Sequence, residues 1–574
     1  MIETEPTRAI WKVGQRDRVA EARLIDELGI PSVLAAVLVK RGHSTPEVAN
    51  TFLNASLDQF HDPRLLPDFQ AAVNAILDAK DQGHTIYVHG DYDVDGVTST
   101  ALFTRYLQRI GCKVVPHVPH RTKEGYGIHM DAVQWAKDKG TDLFLTCDCG
   151  ISAHRQVEAA TQLGMKVVVT DHHQVGDSLP GALAVVNPHR SDSDYPWPEL
   201  AGVGVALKLC AGITEELGYK VDQFYRAYLD LAVLGTVADV MPLLDENRVI
   251  TKFGLQNLGQ TRKVGLQALL KVSDLAQQSQ LTARHVGYQL GPRINAVGRI
   301  EDSAVALDLL LTEDPVEADR MASVLDRVNE ERRTEQTRSV EEAIAQVEAD
   351  GVTDSYTLLI ADPTWHAGLI GLIAGRLVEK FRRPAFVLTV ADGVAKGSAR
   401  SIPGFDLGEA VRATKPLLIG GGGHALAAGI SIDPTNIAEF RQEIERLARA
   451  SLTPEDLRPR IDIDVELEAP ESAPAAYLAL QRLEPFGNSN PTPVFAMRGV
   501  KLASVAPTSN PEHARVSFET SDGPRFGMAF KIGRSLNARR QGELVDVAFT
   551  IEENVFKGQS TIRWTVLDVQ SSDS

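Results

Sequence analysis

Two short segments carry most of the chemistry in this chain. The first, His89-Gly-Asp91-Tyr-Asp93-Val-Asp95-Gly96, sets three carboxylates at every second position, with an imidazole two residues ahead of them. The second, Asp171-His172-His173, joins a carboxylate to two imidazoles. Hard oxygen ligands mixed with imidazole, without paired cysteines, suit Mg²⁺ or Mn²⁺ better than structural Zn²⁺. An EF-hand also begins D-x-D-x-D-G, but its twelfth position needs a glutamate and here holds Leu102. A third cluster, Cys147-Asp148-Cys149-Gly150, adds one more carboxylate.

Each cluster follows a short apolar run. The runs TIYV (85–88), KVVPHV (113–118), DLFLT (142–146), KVVVT (166–170) and ALAVVN (182–187) alternate with helical segments. That pattern predicts βαβ units in a doubly wound parallel sheet, whose ligand site lies beyond the carboxyl ends of the strands. A lone aspartate at a strand end is usually a helix cap. Three acidic or histidine clusters at strand ends on one sheet edge favour a metal centre, and two ions about 3.5–4 Å apart suit in-line attack at phosphorus.

Helical sequence follows from about Val203 to Leu270. From Pro315 to Asp350 runs a segment without internal Gly or Pro, apolar at helical spacing at both ends and polar in the middle. It predicts a helix about 50 Å long that joins two domains. Further on, Arg293, Asn295 and Arg299 could hold a phosphodiester bidentately or form ordinary salt bridges. Gly397-Ser398-Ala-Arg400 precedes the glycine run Gly420 to Gly423 and His424. That run lies between LLI and a helix-like ALAAG, which favours a backbone cradle for an anion. Between Arg376 and Lys415 the local charge is +4 in a chain of net charge −17. The tail from about Ile461 reads as five or so strands, a small barrel with an OB-fold as the natural candidate. Its Phe518, Phe526, Phe530, Arg539, Arg540 and Trp564 are candidates for contact with bases and backbone, although strand aromatics are usually core.

The 574 residues are 43% hydrophobic and 24% charged, which excludes disordered, collagen-like and disulfide-scaffold classes. Four cysteines form no zinc or disulfide framework, and Cys147 and Cys149 read as packing residues. Without an apolar run of membrane-spanning length or a leader-like N-terminus, the expected location is cytoplasmic.

The motifs HGDYDVDG, TCDCGIS, VTDHH and GTVADVMPL resemble, in order, the four signature motifs of the DHH phosphoesterase superfamily. LPGALAVVNPHR, LAGVGVALKL, MPLLDENR, GPRINAVGRI and LEPFGNSNPTPVF are similar to its branch of single-strand-specific 5′→3′ DNA exonucleases. The resemblance runs from about residue 45 to the end. It implies an α/β fold: an N-terminal helical cap (1–45), a DHH catalytic domain (46–314), a connecting helix (315–350), an α/β DHHA1 domain (351–455) and an OB-fold barrel (456–574). It also implies two Mn²⁺ or Mg²⁺ ions held by Asp93, Asp95, Asp148, His172 and Asp239, with Asp148 bridging and His89 completing one site. Asp91, Asp171 and His173 then orient ligands or hold a phosphate oxygen, and His173 and Arg299 stabilise developing charge. Arg293, Asn295, Ser398, Arg400, Gly422, Gly423 and His424 would grip the strand. The activity implied is release of mononucleotides from single-stranded DNA in repair and recombination. A single-strand-binding protein and a helicase are the implied partners of a monomeric enzyme. A DHH phosphodiesterase acting on short oligoribonucleotides or cyclic dinucleotides would generally lack the barrel, and an inactive scaffold that binds single strands would lack the metal ligands, all of which are filled here.

Overall fold

The computed structural model describes residues 9–120, 125, 127–300, 304–351, 354–391, 393–472, 474–556 and 559–572, with side chains undescribed at 297–300, 350, 555, 556 and 559. The chain forms two compact units, one of residues 16–329 with 475–493, the other of 1–15, 330–474 and 494–574. The first described element is a strand, β1 (Ile10–Val13), followed by helices Arg18–Leu28, Ser32–Lys40 and Pro46–Leu53. Among the described residues of the segment expected to form a helical cap, IWKV is thus a strand, because it finds a parallel partner, Ile10 opposite Arg460, that local pattern cannot reveal.

In the first unit, β2 (Thr85–His89), β3 (Lys113–His117), β4 (Thr141–Cys147), β5 (Lys166–Thr170) and β6 (Ala184–Val186) form one parallel sheet ordered β3-β2-β4-β5-β6. These strands read as continuous apolar runs because both faces are covered. Ile86, Val88, Leu143, Leu145 and Val168 enter a core shared with the helices Val94–Arg109, Gly202–Glu216 and Val221–Ala238. The alternate residues Tyr87, Phe144, Val167 and Val169 pack on the other face against Val133, Ala136, Val157 and Ala160. Pairing fixes the register: His89 lies opposite Thr146, and Cys147 opposite Thr170. The tips of β2, β4 and β5 therefore end side by side.

The helix Pro315–Asp350 is continuous over 36 residues. Its middle is less wet than its composition predicts, since Asn329 and Ser339 are buried.

In the second unit, β7 (Leu358–Ala361), β8 (Ala385–Ala391), β9 (Val394–Arg400), β10 (Leu418–Gly423) and β11 (Ala427–Ile432) form a mixed sheet ordered β10-β11-β9-β8-β7. Phe386 and Leu388 face one core, and Ala385 and Val387 face the other. The helix-like ALAAG is thus the start of a strand. Small residues permit it: a Cβ on Gly423 would lie 2.4 Å from the Ala427 carbonyl oxygen, so the hairpin closes only on glycine. The short strands β12 (Arg460–Ile463) and β13 (Val465–Glu466) lead towards the barrel. There β14 (Phe495–Pro507), β15 (Ala514–Thr520), β16 (Gly523–Ala529), β17 (Leu544–Phe556) and β18 (Gln559–Ser571) run in the order β14-β15-β16-β18-β17, and β14 pairs back onto β17 to close a five-stranded barrel. Sequence reading assigns 456–574 to one domain, whereas residues 475–493 pack with the first unit.

Candidate active site

Asp93 and Asp95 sit where β2 gives way to the helix Val94–Arg109. Asp93 is that helix's N-cap, its Oδ1 accepting from the backbone N–H groups of Asp95 at 3.0 Å and Gly96 at 3.1 Å. The capping role and a ligand role are compatible, since a carboxylate has further lone pairs. Asp95 is buried and accepts from Gly202 N–H at 2.6 Å and Val203 N–H at 2.8 Å, the start of another helix. Two helix N-termini thereby fix the two carboxylates.

Asp148 follows β4 in the left-handed conformation, φ 59°. Its carboxylate lies among the others, with Oδ1 3.1 Å from His172 Nε2. That nitrogen is also 3.6 Å from Asp239 Oδ2 and 3.8 Å from Asp95 Oδ2. It makes no hydrogen bond, although the ring is hydrogen-bonded to the backbone of Leu200. Burial, then the neighbouring His173, lower the His172 pKa to about 4, so the ring is neutral and its lone pair is available. Asp171 is fully buried and orients its neighbours: Oδ1 accepts from His172 N–H at 2.7 Å and His173 N–H at 3.1 Å, and pairs with His173 Nδ1 at 2.7 Å, while Oδ2 accepts from Ile151 N–H at 2.9 Å. Burial opposes charge on both partners, yet the bond to His173 outweighs it, holding Asp171 below the usual carboxylate range and lifting His173 to about 9.

Three groups result whose ligand atoms lie within 4.8 Å of one another: Asp148, His172 and His173; Asp95, His172 and Asp239; and Asp91, Asp93 and Asp148. Asp148 and His172 each belong to two of these groups. Burial first, then the neighbouring carboxylates, push Asp91 and Asp239 up to about 7 and Asp95 and Asp148 well above the ordinary range. Among the described residues no Lys or Arg pairs with this cluster. Clustered buried carboxylates, a neutral imidazole and the unbonded Asp91 Oδ1 make a donor set that fits hard divalent cations.

His89 stands apart from the three groups. Its ring is buried against Tyr87, His117 and Phe144, its Nε2 is 3.4 Å from the Gly127 carbonyl, and burial, then His117, lower its pKa to about 3. Cys147 and Cys149 are buried thiols with Sγ 3.8 and 3.7 Å from the His89 carbonyl oxygen, as packing residues should be. Arg293 takes the salt-bridge alternative: it binds Asp326 at 2.9 Å and the carbonyls of Gln289 and Val272. Asn295 is half-buried beside it in the helix Gly291–Ile300, and the side chain of Arg299 lies outside the described residues.

In the second unit, register aligns Gly422, Gly429 and Ser398 across three strands. Ser398 Oγ accepts from Arg400 Nη1 at 3.3 Å, and the same guanidinium donates to the Ala399 carbonyl at 2.8 Å. Gly422, Gly423 and His424 are exposed at one end of this glycine lane. On the barrel, Phe518 and Trp564 are core, whereas Phe526 is 65% exposed and Phe530 43% exposed. Arg563 lies 6.0 Å from the Phe530 ring, Arg539 pairs with Glu543 at 2.7 Å, and Arg540 is exposed.

Sequence reasoning misses the glycines that make room. A Cβ on Gly202 would lie 2.5 Å from Asp148 Cβ, one on Gly235 2.5 Å from Asp95 Oδ1, and one on Gly371 3.0 Å from Ser398 Oγ. They carry no side-chain chemistry, and within apolar helices only their being glycine hints at close approach.

A parallel sheet whose strand tips present clustered carboxylates and a DHH motif, joined to a second α/β unit, defines a DHH phosphoesterase. Family models agree: the DHH family N-terminal domain matches residues 85–236, the DHHA1 domain 353–450 and the RecJ OB domain 463–568. The chain is 36% identical to the single-stranded-DNA-specific exonuclease RecJ of Dickeya dadantii over 96% of this chain and 97% of that one. It is 35% identical to the Bacillus subtilis protein of the same name over 98% of this chain and 71% of that one. The crystal structure of RecJ from Thermus thermophilus in complex with Mn²⁺ superposes with a TM-score of 0.84 at 30% identity, covering 99% of this chain and 80% of that one. A related structure from the same organism holds Mg²⁺. The chain belongs to the RecJ family.

Proposed function

We propose that this chain is a Mn²⁺- or Mg²⁺-dependent exonuclease that removes mononucleotides from the 5′ end of single-stranded DNA. The observation that carries the reading is the convergence of Asp93, Asp95, Asp148 and His172, beyond the tips of β2, β4 and β5, with Asp239 at the end of the helix Val221–Ala238, in overlapping groups whose ligand atoms lie within 4.8 Å. These five residues would hold two ions, Asp148 between them, with Asp91 beside the pair. Bound there, the ions supply the Lewis acidity that hydrolysis of a phosphodiester needs. Asp171 fixes His173 as a protonated donor, charged at neutral pH and half-exposed, suited to a phosphate oxygen that gains charge in the reaction. His89, whose buried Nδ1 makes no hydrogen bond, would complete one of the two ion sites. Arg299 is assigned to the same phosphate by family resemblance alone.

The lane of Gly422, Gly429 and Ser398 with Arg400 and His424 would seat the 5′ end, and Phe526 and Phe530 would stack bases further along the strand. The domain limits follow the family pattern: catalytic domain to residue 314, connecting helix to 350, DHHA1 to 455, then the barrel. A monomer in the cytoplasm, fed by a helicase and working beside a single-strand-binding protein in repair and recombination, completes the reading. No helix among the described residues is long and apolar enough to cross a membrane.

The test is to incubate the protein and its Asp148→Ala variant with Mn²⁺ and 5′- or 3′-labelled single strands and duplexes. Immediate release of the 5′ label as mononucleotide, abolished in the variant, is the expected result. Early release of the 3′ label, or equal digestion of blunt duplex, overturns the reading.

A further inference from the structure

The helix Val221–Ala238 ends on Asp239, and the next residue is strained. Val240 has φ 59°, in the left-handed region that a β-branched residue enters only at steric cost. The turn closes in the manner that usually calls for glycine, with Asp239 N–H donating to the Gly235 carbonyl at 2.9 Å, Val240 N–H to Val237 at 3.2 Å and Met241 N–H to Thr236 at 3.2 Å. Nor does packing of the valine side chain compensate, since the residue is 64% exposed.

What holds the turn comes from far along the chain. Residues 475–493 belong to the same compact unit. Within them Asn488 grips both ends of the segment after Asp239: its Nδ2 donates to the Val240 carbonyl at 2.6 Å, and its own carbonyl accepts from Leu243 N–H at 2.9 Å. Next to it, Gly487 lies so close to Leu243 that a Cβ would come within 2.5 Å of Leu243 Cδ1. The strap is itself anchored. The buried guanidinium of Arg248, stacked 3.8 Å from the Phe52 ring, donates to the carbonyls of Leu483 at 2.9 Å and Glu484 at 2.7 Å. Arg41 Nη1 donates to Asn490 Oδ1 at 2.7 Å, and Asn490 Nδ2 donates to the carbonyls of Leu483 and Pro485, each at 2.8 Å.

We propose that Asn488 is a positioning residue for Asp239: the 475–493 strap holds the strained Val240 turn in the conformation that presents the Asp239 carboxylate to His172 and Asp95. The inference rests on Asp239 being a metal ligand. A non-glycine residue in a left-handed turn persists where the surroundings over-determine it, and here the strap's contacts add to the turn's own backbone hydrogen bonds. Through it, residues that directly precede the first long barrel strand bear on the metal centre.

The test measures Mn²⁺ affinity by calorimetry on the full chain without DNA, and amide hydrogen exchange of residues 236–243 without metal. Asn488→Ala removes the donor to Val240, and Mn²⁺ binding should weaken about five- to tenfold, the worth of one lost hydrogen bond, with faster exchange at the turn. At saturating Mn²⁺, kcat should largely recover while KM for DNA stays unchanged. Val240→Gly in the Asn488→Ala background should restore most of the affinity, because glycine adopts the left-handed turn freely. If Asn488→Ala does not fold, Asn488→Asp, isosteric but unable to donate, carries the same expectation. Wild-type affinity and exchange in these variants overturn the proposal, as does a loss that Val240→Gly fails to rescue. Asp239→Asn separates the two readings: wild-type affinity there removes Asp239 from the ligand set, whereas weak binding there with normal binding in Asn488→Ala removes only the strap's role.

Discussion

Gly202 touches Asp148 and serves Asp95 at once. A Cβ at residue 202 would sit 2.5 Å from Asp148 Cβ, while the Gly202 N–H donates to Asp95 Oδ2 at 2.6 Å. Asp148 cannot easily yield, being already in the left-handed conformation after β4. Gly202→Ala should therefore displace both carboxylates while leaving the sheet intact. Misplacement by about 1 Å can cost on the order of 100-fold in rate, and overpacking of this kind costs about 1–3 kcal/mol of stability. Nuclease assays beside urea titration separate the two effects, and near-normal turnover in a folded variant would refute the close contact.

Removing the metal should make stability depend on pH in a particular direction. Asp91 and Asp239 are lifted to about 7, and Asp95 and Asp148 well above their ordinary range. The folded chain thus binds protons that the unfolded chain has shed by about pH 5, and stability falls as pH rises through 7. His173, lifted to about 9, contributes stability below its unfolded pKa of about 6.5 that is lost as pH climbs through 9, with the same sign. His172 and His89, lowered to about 4 and about 3, work the other way, gaining as pH rises towards 6.5. Asp171, held below its ordinary range, acts only below about pH 4, so above about pH 5 the five raised groups set the direction. The metal-free protein should melt at a lower temperature at pH 8 than at pH 5.5, and added Mn²⁺ should raise the melting temperature more at pH 8. A flat profile without metal would mean that these carboxylates are not clustered as described.

Much of this site was legible in the sequence because it rests on short-range pattern. The strands β2, β4 and β5 show as apolar runs since both faces of each are buried, and the ligand clusters follow those runs within one to eight residues. What escaped is long-range. The β1 pairing with β12, the strand rather than helix at Ala427, and the attachment of 475–493 to the first unit each depend on a partner distant in sequence. Arg293 shows the same limit from the other side. Its ion pair with Asp326 bridges two helices, and nothing near Arg293 in the sequence distinguishes that partner from a phosphate.

Asp171 tunes His173 directly. The 2.7 Å contact from His173 Nδ1 to Asp171 Oδ1 outweighs the burial that would otherwise keep the ring neutral. Asp171→Asn keeps the shape and an acceptor oxygen but removes the charge, so the His173 pKa should drop from about 9 to near or below the ordinary histidine value. NMR titration of the metal-free variant reads this shift. Activity should fall by about 10²-fold, the worth of a positioned proton donor, with the alkaline limb of the pH profile moved to lower pH. An unmoved limb would take His173 out of the reaction.

Arg400 should bear on DNA and leave the metal untouched. Its guanidinium is half-buried, donates to the Ser398 hydroxyl and the Ala399 carbonyl, and pairs with no carboxylate among the described residues; burial alone lowers its pKa. A half-buried cation beside an exposed glycine lane has unspent donors, which suits a phosphate. Arg400→Met should raise KM for single strands bearing a 5′-phosphate about tenfold and reduce the slope of log affinity against log salt by about one contact. Arg400→Lys should recover the salt slope but only part of the affinity, since a point charge replaces a planar fork. Calorimetric Mn²⁺ affinity should be unchanged in both. If instead Mn²⁺ binding weakened while the salt slope held, Arg400 would belong to the metal centre and the glycine lane would lose its assignment.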